Sequence, residues 1–256
     1  MLLWMALACH DYDFQEVEEI VVEGEDTAVV DEPPPEDTGE VVASAPLYGN
    51  TSTTLYQIDP QKGGMSEIGD FHDANGPIDQ FIDIAIDLDG YMVGGTFDAL
   101  YRVDPSTAFV THICDTEVEM TALTFASSGE LITGGDAEIR WMDIDTCASS
   151  LLVSSSTYAT SGDLVGLPDG YLYWTVEGSD GDELVVVNPE TGAQMWNGRI
   201  GVSALFGLGY HNDKLYGFSA EGDIVEITPS NAQISDTISS GVAWWGAATN
   251  PVVWGK

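Results

Sequence analysis

Beyond residue 45 the chain is a succession of short apolar runs separated by turn residues. One stretch shows the grammar: FIDIAID (81–87), YMVGGT (91–96), ALYRV (99–103) and FVTHIC (109–114), with turns at Asp89-Gly90 and Asp104-Pro105. Runs this short, rich in β-branched and aromatic residues, read as strands, here named A to D. Asp-Gly and Asp-Pro read as their turns, because glycine accepts positive φ and proline presets the first turn position. The same order returns in ALTFASSGELITGG (122–135), GDLVGLPDGYLYWT (162–175) and ALFGLGYHNDKLYGF (204–218). The third strand and its turn are the ruler. LYQIDPQKGG, LYRVDPSTAF, IRWMDIDTCA, LVVVNPETGA and IVEITPSNAQ start at Leu55, Leu100, Ile139, Leu184 and Ile224, spaced by 45, 39, 45 and 40 residues. Strands at that period predict a β-propeller.

The blade count follows from the two ends. LYGNT (47–51) and LYQIDP (55–60) match MVGGT and LYRVDP at one offset of 45 residues, so the first B, C and D strands are present without an A strand. EDTGEVVAS (36–44) makes a poor strand, whereas Val242–Thr249 makes a good one. The expected fold is all-β, a five-bladed propeller closed by the C-terminal A strand pairing with the N-terminal B, C and D strands. Closure removes free sheet edges. Six blades is the alternative if Pro251–Lys256 begins another.

The blades resemble the LY-x-[IV]-[DN]-P-x-[TS]-G repeats of bacterial NHL, YVTN and quinoprotein-like propellers over about residues 45–250. That resemblance implies blade architecture and no particular activity. Quinoprotein dehydrogenase features are absent: no tryptophan-docking motif, no vicinal cysteine pair, no basic set for a quinone carboxylate.

Composition changes the picture at the N-terminus. Residues 1–9, MLLWMALAC, resemble the end of a lipoprotein signal segment, with Cys9 the residue to be lipidated. The apolar run is short, no basic residue precedes it, and Ala6 stands where leucine is usual; a cytosolic N-terminus with an incidental cysteine is the alternative. Residues 10–42 hold Pro33–Pro35 and, over 11–40, 13 acids without Lys or Arg, so they read as a disordered acidic tether. Residues 43–256 are the propeller. With this lead-in the whole chain is similar to propeller lipoproteins of Gram-negative bacteria. That similarity implies a cell-envelope, outer-membrane or surface location, with secretion as the alternative, and membrane contact only through the anchor.

Charge then narrows partners. The 256 residues carry 43 acids against 6 bases, a formal −37. Such a surface repels nucleic acid and anionic lipid and attracts cations and basic partners. A monomer is expected.

Candidate chemistry is sparse. Aligning the repeats on the A–B turn places Asp83, Ala122, Asp163, Phe206 and Trp245 at equivalent positions, where strand A leaves the D–A loop at the channel mouth. Asp83 and Asp163, with Phe206 and Trp245 nearby, suit Ca²⁺ or a small polar ligand. The simpler reading is that the aspartates accept hydrogen bonds from backbone amides of neighbouring blades, since a metal site needs a complete ligand set. Asp180, Asp182 and Glu183 in EGSDGDE (177–183) form a second, weaker Ca²⁺ candidate beside the reading as a solvated turn. His10, His72, His112 and His211 share no metal spacing; His72, in the longest inter-blade loop, is the one with a possible role. No nucleophile elbow or phosphate-binding glycine loop appears, so no catalytic residue is assigned and no cofactor is required. Cys114, ending a D strand, and Cys147, in the next blade's C–D turn, fall at opposite ends of a blade and read as free buried thiols. The functional expectation is a non-enzymatic binding or scaffolding propeller for a protein, glycan or cation at the channel mouth or rim. The alternative is a metal-dependent hydrolase or lactonase with carboxylate ligands in the channel.

Overall fold

The computed structural model describes residues 45–253. The readings on 1–9 and 10–42, Cys9 among them, lie outside the described residues, as do 254–256. In chain order the strands are β1 (Leu47–Asn50), β2 (Thr54–Asp59) and β3 (Gly64–Asp70); the two-residue strands β4 (His72–Asp73) and β5 (Gly76–Pro77); β6 (Asp83–Ile86), β7 (Met92–Gly95), β8 (Ala99–Val103) and β9 (Val110–Asp115). There follow β10 (Ala122–Phe125), β11 (Leu131–Gly135), β12 (Glu138–Met142) and β13 (Ser149–Ser154); β14 (Thr160–Gly166), β15 (Leu172–Val176), β16 (Glu183–Val187) and β17 (Gln194–Arg199); β18 (Leu205–His211), β19 (Lys214–Ser219), β20 (Asp223–Thr228) and β21 (Gln233–Ser239); and β22 (Gly246–Ala248).

They form five four-stranded antiparallel blades around an axis, plus the small β4–β5 hairpin. Blade 1 is β22-β1-β2-β3, and blades 2 to 5 are β6–β9, β10–β13, β14–β17 and β18–β21. The ring closes as the repeats predict: Tyr48, Gly49 and Asn50 pair with Ala248, Ala247 and Gly246. Pro251–Val253 is a 3₁₀ turn and not a sixth blade.

The hydrophobic core is not one cluster but five, each filling one interface between neighbouring blades. The last joins Leu47 and Ile58 of blade 1 to Tyr216, Phe218 and Ile224 of blade 5 around fully buried Trp244. Strand B is therefore buried on both faces, strand C keeps a partly exposed polar position in most blades, and the outer D strands are largely exposed.

The C–D turn is the repeated joint. Asp59, Asp104, Asp143 and Asn188 each accept, through the side chain, amides two or three residues on. Four residues after each of these, and after Thr228 of blade 5, the chain turns left-handed: Gly63, Ala108, Cys147, Gly192 and Ala232 all have φ between 56° and 70°. In blades 2, 4 and 5 the turn then meets the D strand of the preceding blade: Gly69 lies against Thr107, Gly192 against Leu152, and Gly198 against Asn231 and Ala232, whereas Gly63 of blade 1 has nothing beside it.

That joint overturns the reading of free thiols. Cys114 and Cys147 form a disulfide, with Cα atoms 5.8 Å apart, tying strand D of blade 2 to the C–D turn of blade 3. Placing them at opposite ends of a blade treats the sheet as flat. Each strand is rotated from the last by about 20–25°, so D lies roughly 60–75° from A and its end swings toward the outer turn of the next blade. The bridge spans 33 residues, for which loop entropy gives about 3–4 kcal/mol. The variant Cys114→Ala/Cys147→Ala is expected to fold, because alanine already occupies position 147's counterparts at Ala108 and Ala232, but to lose about 2–4 kcal/mol in urea denaturation. An unchanged midpoint would show that the bridge adds nothing.

Candidate functional site

Strand A is the inner edge of every blade, so its outward-paired face leaves amides pointing at the axis with no sheet partner. These edge amides must be satisfied where water is excluded. The strand registers make Ala247, Ile84, Leu123, Leu164 and Leu208 equivalent, one per blade: they lie opposite Gly49, Gly94, Thr133, Trp174 and Gly217. All five amides donate to just two side chains. Asp83 Oδ1 accepts from Ile84 (2.8 Å) and Ala247 (3.1 Å), and its Oδ2 from Leu123 (2.5 Å). Asp163 Oδ1 accepts from Leu164 (2.6 Å) and its Oδ2 from Leu208. Each aspartate thus caps its own blade and binds neighbouring ones, and the two carboxyl groups hydrogen-bond each other.

Only two side chains fit there. The other three blades place Ala122, Gly207 and Gly246 at the same register. A Cβ on Gly246 would lie 2.4 Å from Asp83 Oδ1, and one on Gly207 would lie 2.6 Å from the Gly246 carbonyl carbon. Phe206 and Trp245, expected to share the position of Asp83, are one residue out of register. The A–B connection of blade 5 has four residues between the paired Tyr210 and Leu215, where blades 2 to 4 have five, so counting back from the turn stops one residue short, at Phe206 and not Gly207; Trp245 precedes Gly246 in the same way, and a one-residue slip moves a strand side chain to the other face. Phe206 is partly buried with its backbone against Gly162. Trp245 is partly buried against the core shared by blades 2 and 3. Below the carboxyl pair, Thr124 Oγ1 accepts from Gly166 N at 3.0 Å and Thr249 Oγ1 from Tyr210 N at 2.7 Å, capping further inner-edge amides. The void remaining in this part of the channel is about 10 Å³, room for one water at most.

Both aspartates are fully buried. Desolvation pushes both carboxyls up, Asp83 to about 8, and the charge of Asp83 raises Asp163 further; the amide bonds oppose the shift on each. At neutral pH the pair holds at least one proton between its carboxyl groups.

The second acidic candidate does not converge. Asp182 is buried, its carboxyl raised by that burial, and its Oδ2 accepts from Leu205 N at 2.9 Å. Asp180 pairs with Arg199 at 3.0 Å, and Glu183 accepts the Trp196 indole N–H at 2.9 Å. Among the described residues no three metal-ligating side chains cluster. His72 lies on the β4–β5 hairpin, its ring edge-on to Phe109 and its Nδ1 2.9 Å from the Asp70 carbonyl.

Asn50, unmarked by sequence reasoning, completes the mouth. It is fully buried, donates through Nδ2 to the Phe81 carbonyl at 3.3 Å, and accepts Trp245 N at 2.8 Å on its own carbonyl. The signal was available: Asn50 stands where blades 2 and 3 carry Gly95 and Gly134.

No protein-family model matches this chain, and no curated protein matches it. Many solved structures are similar, among them two that reach a TM-score above 0.5 over most of this chain. One, described as the crystal structure of a nidogen/laminin complex, aligns at 10% identity with a TM-score of 0.53, covering 79% of this chain and 97% of that one. Another, described as "The de novo evolutionary emergence of a symmetrical protein is shaped by folding constraints", aligns at 13% identity with a TM-score of 0.54, covering 80% and 98%. At these identities the likeness concerns the fold alone: the chain is a propeller repeat protein, with five blades.

Asp83→Ala strands three buried amides and Asp163→Ala two, so the first is expected to cost about 3 kcal/mol or more and the second less; equal costs in urea denaturation would contradict the ring of amides. The raised carboxyls also set a pH dependence. The folded state holds the proton more tightly than the unfolded chain, so this contribution to stability is complete below about pH 4 and is lost as pH rises toward 8. The variant Asp83→Asn/Asp163→Asn is expected to be less stable overall but to lose that slope; a slope persisting between pH 5 and 8 in denaturation midpoints would assign it elsewhere.

Proposed function

We propose that this chain is a non-enzymatic binding or scaffolding propeller, tethered to the cell envelope by a lipid on Cys9. The observation that carries the reading is the closed axis. The carboxyl oxygens at the mouth are engaged by five backbone amides and by each other, so they serve the ring rather than a substrate. What such a ring offers to other molecules is its rim: loops and outer strands held rigidly by five interlocking cores. The nidogen/laminin structure is, by its description, an assembly of two proteins, which supports protein recognition on this fold. The acidic surface favours a basic partner. The Cys114–Cys147 bridge supports an oxidising compartment, consistent with export.

Two measurements test this. Mass spectrometry of the protein from its native host is expected to find Cys9 as an acylated N-terminus; an unmodified Met1 removes the anchor from the proposal. Surface plasmon resonance of the full chain against peptide and glycan panels is expected to show saturable, salt-sensitive binding with a preference for basic ligands. Turnover of a lactone or ester panel that a chelator abolishes would replace the binding reading with the hydrolase one.

A further inference from the structure

The five blades repeat one surface pair, formed by the first residue after the A–B turn and the residue facing outward on strand C. In blade 2 these are Tyr91 and Arg102, and the guanidinium lies over the ring, 5.1 Å from its centroid. In blade 5 they are Lys214 and Glu226, an ion pair at 3.2 Å. Each pair contains its own cation, set against a ring in one case and a carboxylate in the other. Blade 3 carries Glu130 and Trp141 at these positions. It has both the carboxylate and the ring, and no cation.

A groove opens beside that pair. About 520 Å³ lies between blades 3 and 4, walled by Trp141 and Glu130 on one side and by Asp169, Tyr171 and Glu190 on the other, and a further space of about 350 Å³ flanks Trp141 and Glu130. The larger volume is within the range of small-ligand sites. No basic residue lines either space. The described cations are engaged elsewhere: Lys62 with Asp59, Arg140 with Glu138, Arg199 with Asp180, and Arg102 and Lys214 as above. Trp141 is partly buried and its indole N–H has no partner among the described residues, unlike those of Trp196 and Trp244. Glu190 also has no side-chain partner among the described residues, and Tyr171 is 42% exposed.

We propose that this groove receives the side chain of an arginine or lysine presented by a partner protein, the cationic head meeting Glu130 and Glu190 and the stem and charge lying along Trp141 and Tyr171. Glu130 already accepts the Ser128 hydroxyl, which leaves its charge uncompensated; a ring face and carboxylates together select a cation with an apolar stem, because a neutral ligand leaves both negative charges unbalanced and a bare metal ion gains little from the indole. The inference rests on the binding reading above and gives it a place and a ligand class.

The test follows tryptophan indole ¹H–¹⁵N resonances of the full chain. Trp141 is assigned by its loss in Trp141→Val, a residue blade 4 already carries there as Val186, and the other indole resonances report that the variant folds. N-acetyl-arginine amide is expected to shift the Trp141 resonance saturably, with a dissociation constant in the millimolar range. Glu130→Gln/Glu190→Gln is expected to weaken it about fivefold or more, as is high salt. N-acetyl-citrulline amide, nearly the same shape without the charge, and N-acetylglucosamine are expected to leave it unmoved. No saturable shift with the arginine probe, or an equal shift with either neutral probe, overturns the inference. Tighter binding of tetramethylammonium than of the arginine probe overturns the protein source in favour of a small quaternary amine. Because the panel measurement above reads binding anywhere on the surface, a failure here leaves that reading standing on its own result.

Discussion

The whole ring depends on five inward-facing amides and the two carboxyl groups that satisfy them. A propeller hides the faces of its sheets by packing blade on blade, but the inner edge of each strand A cannot be hidden in that way. It faces the axis, and in a five-bladed ring the axis is too narrow to admit water freely. Two aspartates solve this with four oxygens and at least one proton. Asp83 joins blades 1, 2 and 3, and Asp163 joins blades 4 and 5 and, through the mutual hydrogen bond, ties both sets together. Burying carboxyl groups is costly, and the raised pKa values express that cost. The amide bonds and the retained proton offset it. Glycine at 207 and 246 follows from the same crowding, since either Cβ would collide with neighbouring groups at the axis.

A second, outer ring complements the inner one. At blades 2 to 5 the C–D turn, with its left-handed residue at Ala108, Cys147, Gly192 or Ala232, meets the previous blade's outer strand, whereas Gly63 of blade 1 has open space beside it. Small residues are used at three of the four joints. At Cys147 the contact has become covalent, which converts one of the four packing joints into a staple. Blades are thus held at the axis by polar bonds, in the middle by apolar cores, and at the rim by these turns.

Much of this was legible as pattern. The strand-and-turn grammar, the period and the missing first A strand lead to the closed five-bladed ring, because each is a local property of backbone and turn chemistry. What the pattern could not carry was three-dimensional offset. Phe206 and Trp245 align with Asp83 by counting from the A–B turn, but the turn of blade 5 is one residue shorter than those of blades 2 to 4, so Gly207 and Gly246 hold the register and the two aromatic residues before them face elsewhere. Cys114 and Cys147 look far apart until the twist of a four-stranded blade is included. The aspartates themselves were found, as positions, by periodicity; that they serve five amides at once requires knowing which strand lies innermost.

A closed axis also redirects where recognition can evolve. In a wider propeller, loops at the mouth can converge on a ligand at the centre. Here the centre is committed to holding the ring together, and any change there strands buried amides. One position on strand C carries a lighter duty: it is buried in blade 4, where Val186 joins the core, and only partly buried in blade 3, where Trp141 packs on it. Across the five blades this position holds Gln57, Arg102, Trp141, Val186 and Glu226, five different chemistries on one backbone position. Residues bound by a shared structural task are alike from blade to blade, as the C–D turns are. The places where the blades disagree are not held by one common task, and it is there, on the outer grooves, that one blade can acquire a ligand without loosening the ring at its axis.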